Sequence, residues 1–209
     1  LTRNIPPLME QNAALARTLQ ELALSPGQEP LLDYMPEAGH AAYRRAGVQW
    51  LRRTGLDLPE QRIVVTGGAQ HALAVIQLSL LKPGDTVLTE HLTYSGVGNA
   101  LRLAGARAVG IPMDAEGALP EAIDRLARET GARLVFLTPT IHSPTTATMG
   151  EARRRAIVDV LRARDLIQQA RDLPVPAELG RNDLHYIAQV KDLLRQAKDL
   201  VKFISMTPT

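Results

Sequence analysis

The sequence predicts an α/β fold: a three-layer α/β/α unit with a mainly parallel sheet, followed by C-terminal helices. Short apolar segments rich in β-branched residues alternate with helical segments of about ten or more residues, the spacing that parallel strands with crossover helices require. A strand predicted at 62–66 leads through Gly67-Gly68 directly into an apolar helix. An apolar content of 45% over 209 residues is sufficient for a core.

The elements before the first predicted strand are helical. Leucines at helical spacing predict a helix over 8–24, which Ser25-Pro26-Gly27 ends. An irregular segment follows, and an amphipathic helix over 41–54 ends at Gly55.

Strands and helices then alternate, and glycine or proline marks most of the junctions. The predicted strands cover 62–66, 86–89, 108–111 and 134–137, and the predicted helices cover 69–81, 94–104, 119–130 and 150–165. Lys82-Pro83-Gly84-Asp85 closes the first of these helices, and the next two end at Gly105 and Gly131. A loop rich in proline and threonine, 138–148, separates the last strand from the helix that starts after Met149-Gly150.

The last forty residues have a different character. Gln168 to Leu173 is polar and helical, and Pro174 and Pro176 interrupt it. Asn182-Asp183 then resembles a helix N-cap. The apolar residues beyond it follow one helical face, namely Leu184, Ile187, Val190, Leu193, Leu194, Ala197, Leu200, Val201 and Ile204. We therefore expect a domain over 1–166 and a helical tail over 167–209.

Composition excludes several classes of function. A formal charge of +2 is too balanced to indicate nucleic-acid binding. The chain has no cysteine, and its five histidines lack the spacing of metal ligands, so we expect no metal site. No apolar run is long enough to span a membrane and no signal peptide opens the chain, so we expect a cytoplasmic protein. The chain begins at Leu1 rather than Met, which suggests a trimmed or partial sequence.

The turn after the first predicted strand is a candidate anion site. The first amides of a helix lack intrahelical partners, and the helix dipole favours negative charge there. Gly67 and Gly68 allow close backbone approach or a positive φ. The local pattern supports a phosphate site and a plain strand–turn–helix connection about equally.

Five motifs in order resemble the front half of the fold-type I pyridoxal-phosphate (PLP) enzymes, especially the aminotransferase-like domain of MocR/GntR-type regulators and its free-standing aminotransferase relatives. The resemblance covers about four fifths of the chain, residues 1–166. The motifs are Tyr34-Met35-Pro36-Glu37-Ala38-Gly39 with Arg44-Arg45 and Trp50-Leu51; Val65-Thr66-Gly67-Gly68-Ala69-Gln70-His71-Ala72-Leu73; Pro83-Gly84-Asp85-Thr86-Val87-Leu88-Thr89-Glu90 with Thr93-Tyr94; Met113-Asp114-Ala115-Glu116-Gly117; and Thr138-Pro139-Thr140-Ile141-His142-Ser143-Pro144-Thr145 with Arg153-Arg154.

The resemblance implies a set of cofactor-binding residues. Gly68, Ala69 and Gln70 match the turn whose backbone amides hold the cofactor phosphate. Tyr94 matches the aromatic residue that stacks on the pyridine ring, although the sequence alone also allows a loop tyrosine packed on its own helix.

Two further positions match residues with roles in the family. Tyr34 matches a tyrosine that reaches the phosphate of the neighbouring subunit, which implies a homodimer. Ser143 stands where many family members carry an asparagine that bonds the phenolic oxygen of PLP, and serine is shorter. Thr146 replaces the usual glycine after Pro-Thr. Ile141-His142 also departs from the family pattern, so of the two interpretations of His142, a site residue and a loop residue, the loop residue is preferred.

The departures after residue 166 concern catalysis. The family continues into a buried strand whose carboxylate pairs with the pyridine nitrogen, and then into a turn whose lysine forms the Schiff base. Here the tail is a charged helix, so Lys191, Lys198 and Lys202 are predicted to lie on a solvated face, and Asp172 is predicted to be a helix-end charge. The sequence therefore predicts no catalytic residue in this chain.

Two classes of function follow from the sequence. One is a PLP-binding, aminotransferase-like domain, enzyme or regulator effector domain, that acts on a small amino-acid-like ligand only in its complete form. The other is a non-catalytic scaffold or interaction module, natural or engineered, in which a chimeric helical tail covers the truncated sheet.

Overall fold

The structure is a computed structural model that describes residues 9–26, 33–173 and 184–202. The chain divides into two compact units, Leu1–Gly68 and Ala69–Thr209. Pro174, Pro176, the predicted N-cap Asn182-Asp183 and Ile204 lie outside the described residues.

The first unit contains two helices, α1 (Met9–Leu24) and α2 (Ala41–Arg52), and a short 3₁₀ helix at Glu60–Arg62. His40 caps α2, since its Nδ1 accepts a hydrogen bond of 3.3 Å from the amide of Ala42. Arg44 ties α2 to the 3₁₀ helix through a 3.1 Å ion pair with Glu60. Both predicted helices in this part of the chain are therefore present.

The strand predicted at 62–66 is wrong. Arg62 ends the 3₁₀ helix, and residues 63–66 are extended without a neighbouring strand among the residues described. The amide of Val65 donates to the carbonyl of Ala38 at 3.0 Å, in place of a ladder of sheet hydrogen bonds. A β-branched run predicts an extended backbone, but only a partner segment at the correct distance turns it into a strand.

The second unit is built on a three-stranded parallel sheet. Its strands are β1 (Thr86–Glu90), β2 (Arg107–Ile111) and β5 (Leu134–Phe136). β1 is central and buried along its whole length, with Val87 paired to Ala108 on one side and to Leu134 on the other. These three predicted strands are confirmed, with ends that differ by one residue.

Helices cover both faces of this sheet, which confirms the three-layer α/β/α prediction. The helices are α3 (Ala69–Leu80), α4 (Ser95–Leu103), α5 (Pro120–Thr130) and α6 (Glu151–Asp172). Val87 points into an apolar cluster with Val97 and Leu101 of α4. The next residue, Leu88, points to the opposite face, where it joins a cluster containing Ile123 of α5 and Ile157 of α6.

Two features of this unit depart from the predicted elements. A short antiparallel ribbon, β3 (Met113–Asp114) and β4 (Gly117–Ala118), follows the second strand of the sheet. Helix α6 extends to Asp172 rather than ending at 165, so one continuous helix crosses the predicted boundary between residues 166 and 167. Helix α7 (Leu184–Lys202) packs along α6, and this confirms the predicted C-terminal helices. Lys191 and Lys198 are exposed on it, as predicted.

Arg153 of α6 joins the ribbon to the rest of the unit. Its Nη2 lies 2.6 Å from Oδ2 of Asp114, and its Nη1 donates to the carbonyl of Ala118 at 3.0 Å. The hydrogen bond from Arg153 holds the pKa of Asp114 below its usual range. The sequence motifs around Asp114 and Arg153 therefore have a structural role here that holds a turn in place.

We expect Asp114→Asn to lower the free energy of unfolding at pH 7 by about 1 kcal/mol or less, because the carboxylate is partly exposed. A lowered folded-state pKa contributes stability above the unfolded-state value, and this contribution is lost as the pH falls through the folded-state value. The difference from wild type should therefore shrink in strong acid, as urea denaturation at several pH values would reveal. Asp57→Asn, which breaks the exposed pair with Arg52, serves as the control. A difference that grows on acidification would contradict the assignment.

Candidate functional site

The candidate site lies at the carboxyl end of the parallel sheet. β1 ends at Glu90 and its neighbour β5 ends at Phe136, so the loops that follow them leave the sheet at the same edge. Ligands of open α/β sheets bind outside the carboxyl ends of the strands. A short turn connects the end of α3 to the start of β1, and the helix is antiparallel to the strand. The N-terminus of α3 therefore lies at this edge as well.

The N-terminus of α3 has the backbone geometry of an anion site. Gly68, immediately before the helix, has a φ of +100° that disfavours any residue with a side chain. A Cβ built on Gly68 would meet no atom within 4 Å, so the backbone there is open to approach. Helix geometry leaves the first amides of α3, beginning at Ala69, without intrahelical acceptors.

Gln70 and Tyr94, both predicted from the resemblance, lie close together. Nε2 of Gln70 donates to the carbonyl of Gly96 at 3.1 Å, which links the first turn of α3 to the first turn of α4. Tyr94 precedes α4, and its carbonyl accepts from the amide of Val97 at 3.0 Å. A Cβ on Gly96 would overlap Oε1 of Gln70 and Cε1 of Tyr94. Because residue 96 is a glycine, the amide side chain of Gln70 and the ring of Tyr94 can both lie against the backbone at this position.

The exposure of Tyr94 bears on the two interpretations of this residue. Its side chain is 43% exposed, and its ring lies against Gly96 at the start of α4. The ring thus lies beside its own helix and still presents area to solvent. This geometry is compatible with stacking on a flat ligand and with a plain packing role.

The other two predicted residues are not brought into this cluster by a described contact. Ser143 is exposed in the loop after β5 and precedes a cis peptide bond to Pro144. Tyr34 belongs to the first unit, where it is 99% exposed. Its predicted role depends on a second copy of the chain and stays a prediction.

A buried carboxylate at this edge was not predicted as a functional residue. Glu90 is 0% exposed, and its Oε2 accepts a hydrogen bond of 2.9 Å from the amide of Thr138. Nε2 of His142, which is 2% exposed, lies 3.2 Å from the same oxygen, an ion-pair distance with an angle outside that of a hydrogen bond. The only signal in the sequence was a charged residue at the end of an apolar strand.

Burial dominates the electrostatics of Glu90. It raises the pKa of this carboxyl above its ordinary value, while the Thr138 amide and His142 lower it in part. Oε1 of Glu90 accepts no hydrogen bond from the part of the chain that the structure describes. A buried acid with a perturbed pKa at a sheet edge is typical of functional sites, although structural networks produce the same shift.

Metal and membrane sites have no counterpart in the described residues. Within 9–26, 33–173 and 184–202, no cluster of three or more histidine or acidic side chains could hold a metal ion. Over the same residues, the helices are too short or too polar to cross a bilayer.

The chain matches the protein-family model "Aminotransferase class I and II" over residues 1–167. The match ends close to the predicted boundary of the tail. It covers both the α3–α4 cluster and the loop that contains His142 and Ser143.

The individual relatives include transcriptional regulators and aminotransferases. The chain is 29% identical over 160 residues to the uncharacterized HTH-type transcriptional regulator YdfD of Bacillus subtilis, an alignment that covers 77% of this chain and 32% of the regulator. It resembles an archaeal alanine:glyoxylate aminotransferase with a TM-score of 0.67, at 25% identity, over 74% of this chain and 39% of that one.

A third relative contains a cofactor derivative. The chain matches LysN, an α-aminoadipate aminotransferase from Thermus thermophilus complexed with N-(5'-phosphopyridoxyl)-L-leucine, with a TM-score of 0.56 and 27% identity. This alignment covers 79% of the present chain and 38% of LysN. The chain thus spans between 32% and 39% of the length of these relatives.

Proposed function

Because the chain belongs to the aminotransferase class I and II family, we propose that it binds PLP and does not by itself catalyse transamination. The observation that supports this most directly is the cluster of Gln70, Tyr94 and Gly96 beside the N-terminus of α3. A relative of similar fold holds a phosphopyridoxyl compound, which makes PLP the appropriate ligand class.

The residues at this edge have the chemistry that PLP requires. The amides of Ala69 and Gln70, at the positive end of the α3 dipole, would hold the phosphate, and Gly68, which has no side chain, leaves the approach open. The exposed ring area of Tyr94 would cover the pyridine, and Ser143 would offer a hydroxyl to the phenolic oxygen. When bound, PLP supplies an electron-poor ring that withdraws electrons from an attached amino acid.

The absence of catalysis is proposed from the positions of the lysines. Lys82 lies in the turn before β1, at the opposite end of the sheet from the candidate site. Lys191 and Lys198 are exposed on α7, among charged neighbours. A Schiff-base lysine must reach the aldehyde of the bound cofactor. Lys82 lies at the wrong end of the sheet for this, and Lys191 and Lys198 lie on α7, which packs against α6. We infer that none of these three lysines forms the Schiff base.

PLP titration followed by the absorbance of its ring tests this proposal. We expect weak binding, in the millimolar range, because a helix terminus contributes about 0.3–2 kcal/mol to anion binding and no covalent link assists it. Borohydride should trap PLP on no single lysine, and an amino acid with a keto acid should not be turned over. Tight stoichiometric binding, or turnover abolished by replacing one lysine, would contradict the proposal.

Gly68→Val should remove this binding, because a β-branched residue is strained at a φ of +100° and its side chain would block the approach. Gly84→Val is the matched control: Gly84 also has a positive φ, of +92°, and open space around it, but it lies at the amino end of the sheet. The control should lose similar stability and keep its PLP affinity. Equal loss of binding in both variants would indicate a general effect of destabilisation.

In the complete form of such a domain, the same edge would bind a small amino-acid-like ligand. The domain would then act either as an enzyme or as the effector domain of a transcriptional regulator. A homodimer in which Tyr34 reaches the neighbouring subunit, and a cytoplasmic location, belong to the same proposal. We also propose that this chain does not contact nucleic acid directly. Sedimentation of wild type and Tyr34→Ala with and without PLP would test the dimer.

A non-catalytic interaction module is the second candidate. It is favoured by the apolar side chains that α3 leaves exposed, including Leu78 and Leu80. An exposed apolar surface of this kind suits a protein partner. The module could be natural or engineered, since this argument does not depend on the origin of the tail. Failure of the chain to bind PLP in the titration would favour this module over the cofactor-binding domain.

A further inference from the structure

The loop after β5 is held in one conformation by bonds within itself. The amide of His142 donates to the carbonyl of Ala147 at 2.8 Å, and the amide of Thr146 donates to the carbonyl of His142 at 2.6 Å. The amide of Met149 closes the loop on Pro139 at 3.0 Å. This loop, residues 138–149, contains Ser143, to which the proposed function assigns a contact with the cofactor.

The same loop contains backbone strain. Ile141 and Thr146 have φ values of 47° and 61°, and both are β-branched residues that disfavour the left-handed region. Such conformations persist only where the surrounding structure supports them, and they cluster at functional sites. Ile141 is also exposed, so its own packing does not compensate for the strain.

Glu90 supplies support from outside the loop. Its Oε2 accepts from the amide of Thr138, where the loop begins, and lies 3.2 Å from Nε2 of His142, near the middle of the loop. The other ring nitrogen of His142 lies 2.7 Å from Oγ1 of Thr145. One buried carboxylate of the central strand thus faces two points of the loop, and His142 extends the connection to a third.

A second set of hydrogen bonds holds the two ends of the loop. Arg154 of α6 donates from Nε to the carbonyl of Met149 and from Nη2 to the carbonyl of Pro139, both at 2.9 Å. The loop is therefore tied at its base by Arg154, whereas Glu90 is the polar group beneath its centre.

We propose that Glu90 and His142 form a buried clamp that positions the 138–149 loop, and with it Ser143, for ligand binding at the carboxyl edge of the sheet. Both are positioning residues, since neither is assigned a contact with the ligand. The effect on PLP rests on the proposed function, whereas the effect on the loop does not. An apolar residue at position 90 would fill the same volume and leave the Thr138 amide without its acceptor.

Hydrogen exchange of the loop amides tests the clamp without any ligand. In Glu90→Ala, we expect the amides of Thr138, His142 and Thr146 to lose protection by about tenfold or more, while those of β2 and α5 keep theirs. Glu90→Gln retains an oxygen that accepts from Thr138 and should restore most of the protection. Glu129→Gln, an exposed change on α5, is the control and should alter neither region.

PLP titration of the same variants supplies the second measurement. We expect Glu90→Ala and His142→Ala to weaken PLP binding by about fivefold or more, and Glu90→Gln to recover it, because each alanine removes buried polar contacts that hold the loop. Unchanged loop exchange in Glu90→Ala would overturn the clamp. Failure of Glu90→Gln to restore protection would also overturn it, even where the alanine variant does not fold. If wild type binds no PLP while the loop responds as expected, the proposed function fails and the clamp stands.

Discussion

Replacing Leu88 with alanine is expected to lower the free energy of unfolding by about 3 kcal/mol, within the usual range for a buried leucine. Leu88 is 0% exposed in the central strand and packs in the apolar cluster that contains Ile111 and Ile123. The substitution removes these contacts and leaves a cavity between the sheet and α5. β1 cannot shift to fill the cavity, because it is paired with β2 on one side and with β5 on the other.

Urea denaturation followed by circular dichroism would measure this loss. Leu103→Ala is the matched control, since Leu103 is 80% exposed at the end of α4 and should change stability by less than about 0.5 kcal/mol. Equal losses in the two variants would contradict the assignment of β1 to the centre of the core. The comparison therefore tests the three-layer arrangement without requiring any ligand.

Replacing Gly96 with alanine is expected to weaken PLP binding by about tenfold or more and to leave the fold nearly as stable as before. The added Cβ would overlap Gln70 and the ring of Tyr94, so these two side chains must move apart. Both can move at little cost because they lie at the surface, whereas the arrangement proposed to hold PLP is lost. The gain in helix propensity, about 1 kcal/mol, further offsets the strain.

Gly98→Ala separates the site effect from the helix effect. Gly98 belongs to the same helix, and a Cβ at this position meets no atom within 4 Å. This variant should gain stability by up to about 1 kcal/mol and keep its PLP affinity. The absorbance titration and a thermal melt of both variants decide the matter. Wild-type affinity in Gly96→Ala would exclude the Gln70–Tyr94 cluster as the ligand site.

Much of the second unit could be predicted because its signals are local. Helix α5, for example, starts with Pro120 at its first turn and ends at Gly131 in the left-handed conformation, and both residue types have these preferences in isolation. The strands β1, β2 and β5 are short apolar runs between such boundaries, so their parallel pairing followed from the helices that separate them.

The candidate site was predicted in part. The likeness of Gly68, Ala69, Gln70 and Tyr94 to a family motif identified positions, and the structure adds that Gln70 and Tyr94 meet at Gly96. No pattern along the chain indicated that contact, because residues 70 and 96 belong to different helices. The sequence interpretation of His142 as a loop residue was correct about its place and silent about its burial against Glu90.

By itself, the sequence determined the alternation of helices and strands, because spacing, caps and breakers act between residues a few positions apart. The tertiary structure alone decided which extended segments became strands: within the described part of the chain, 63–66 has no neighbouring strand, whereas 113–114 and 117–118 pair with each other. It also decided that α6 continues to Asp172 and that α7 packs against this helix. Finally, it placed Glu90 beneath the 138–149 loop. Hydrogen bonds between strands, the length of a packed helix and the burial of a charge all depend on partners distant in sequence.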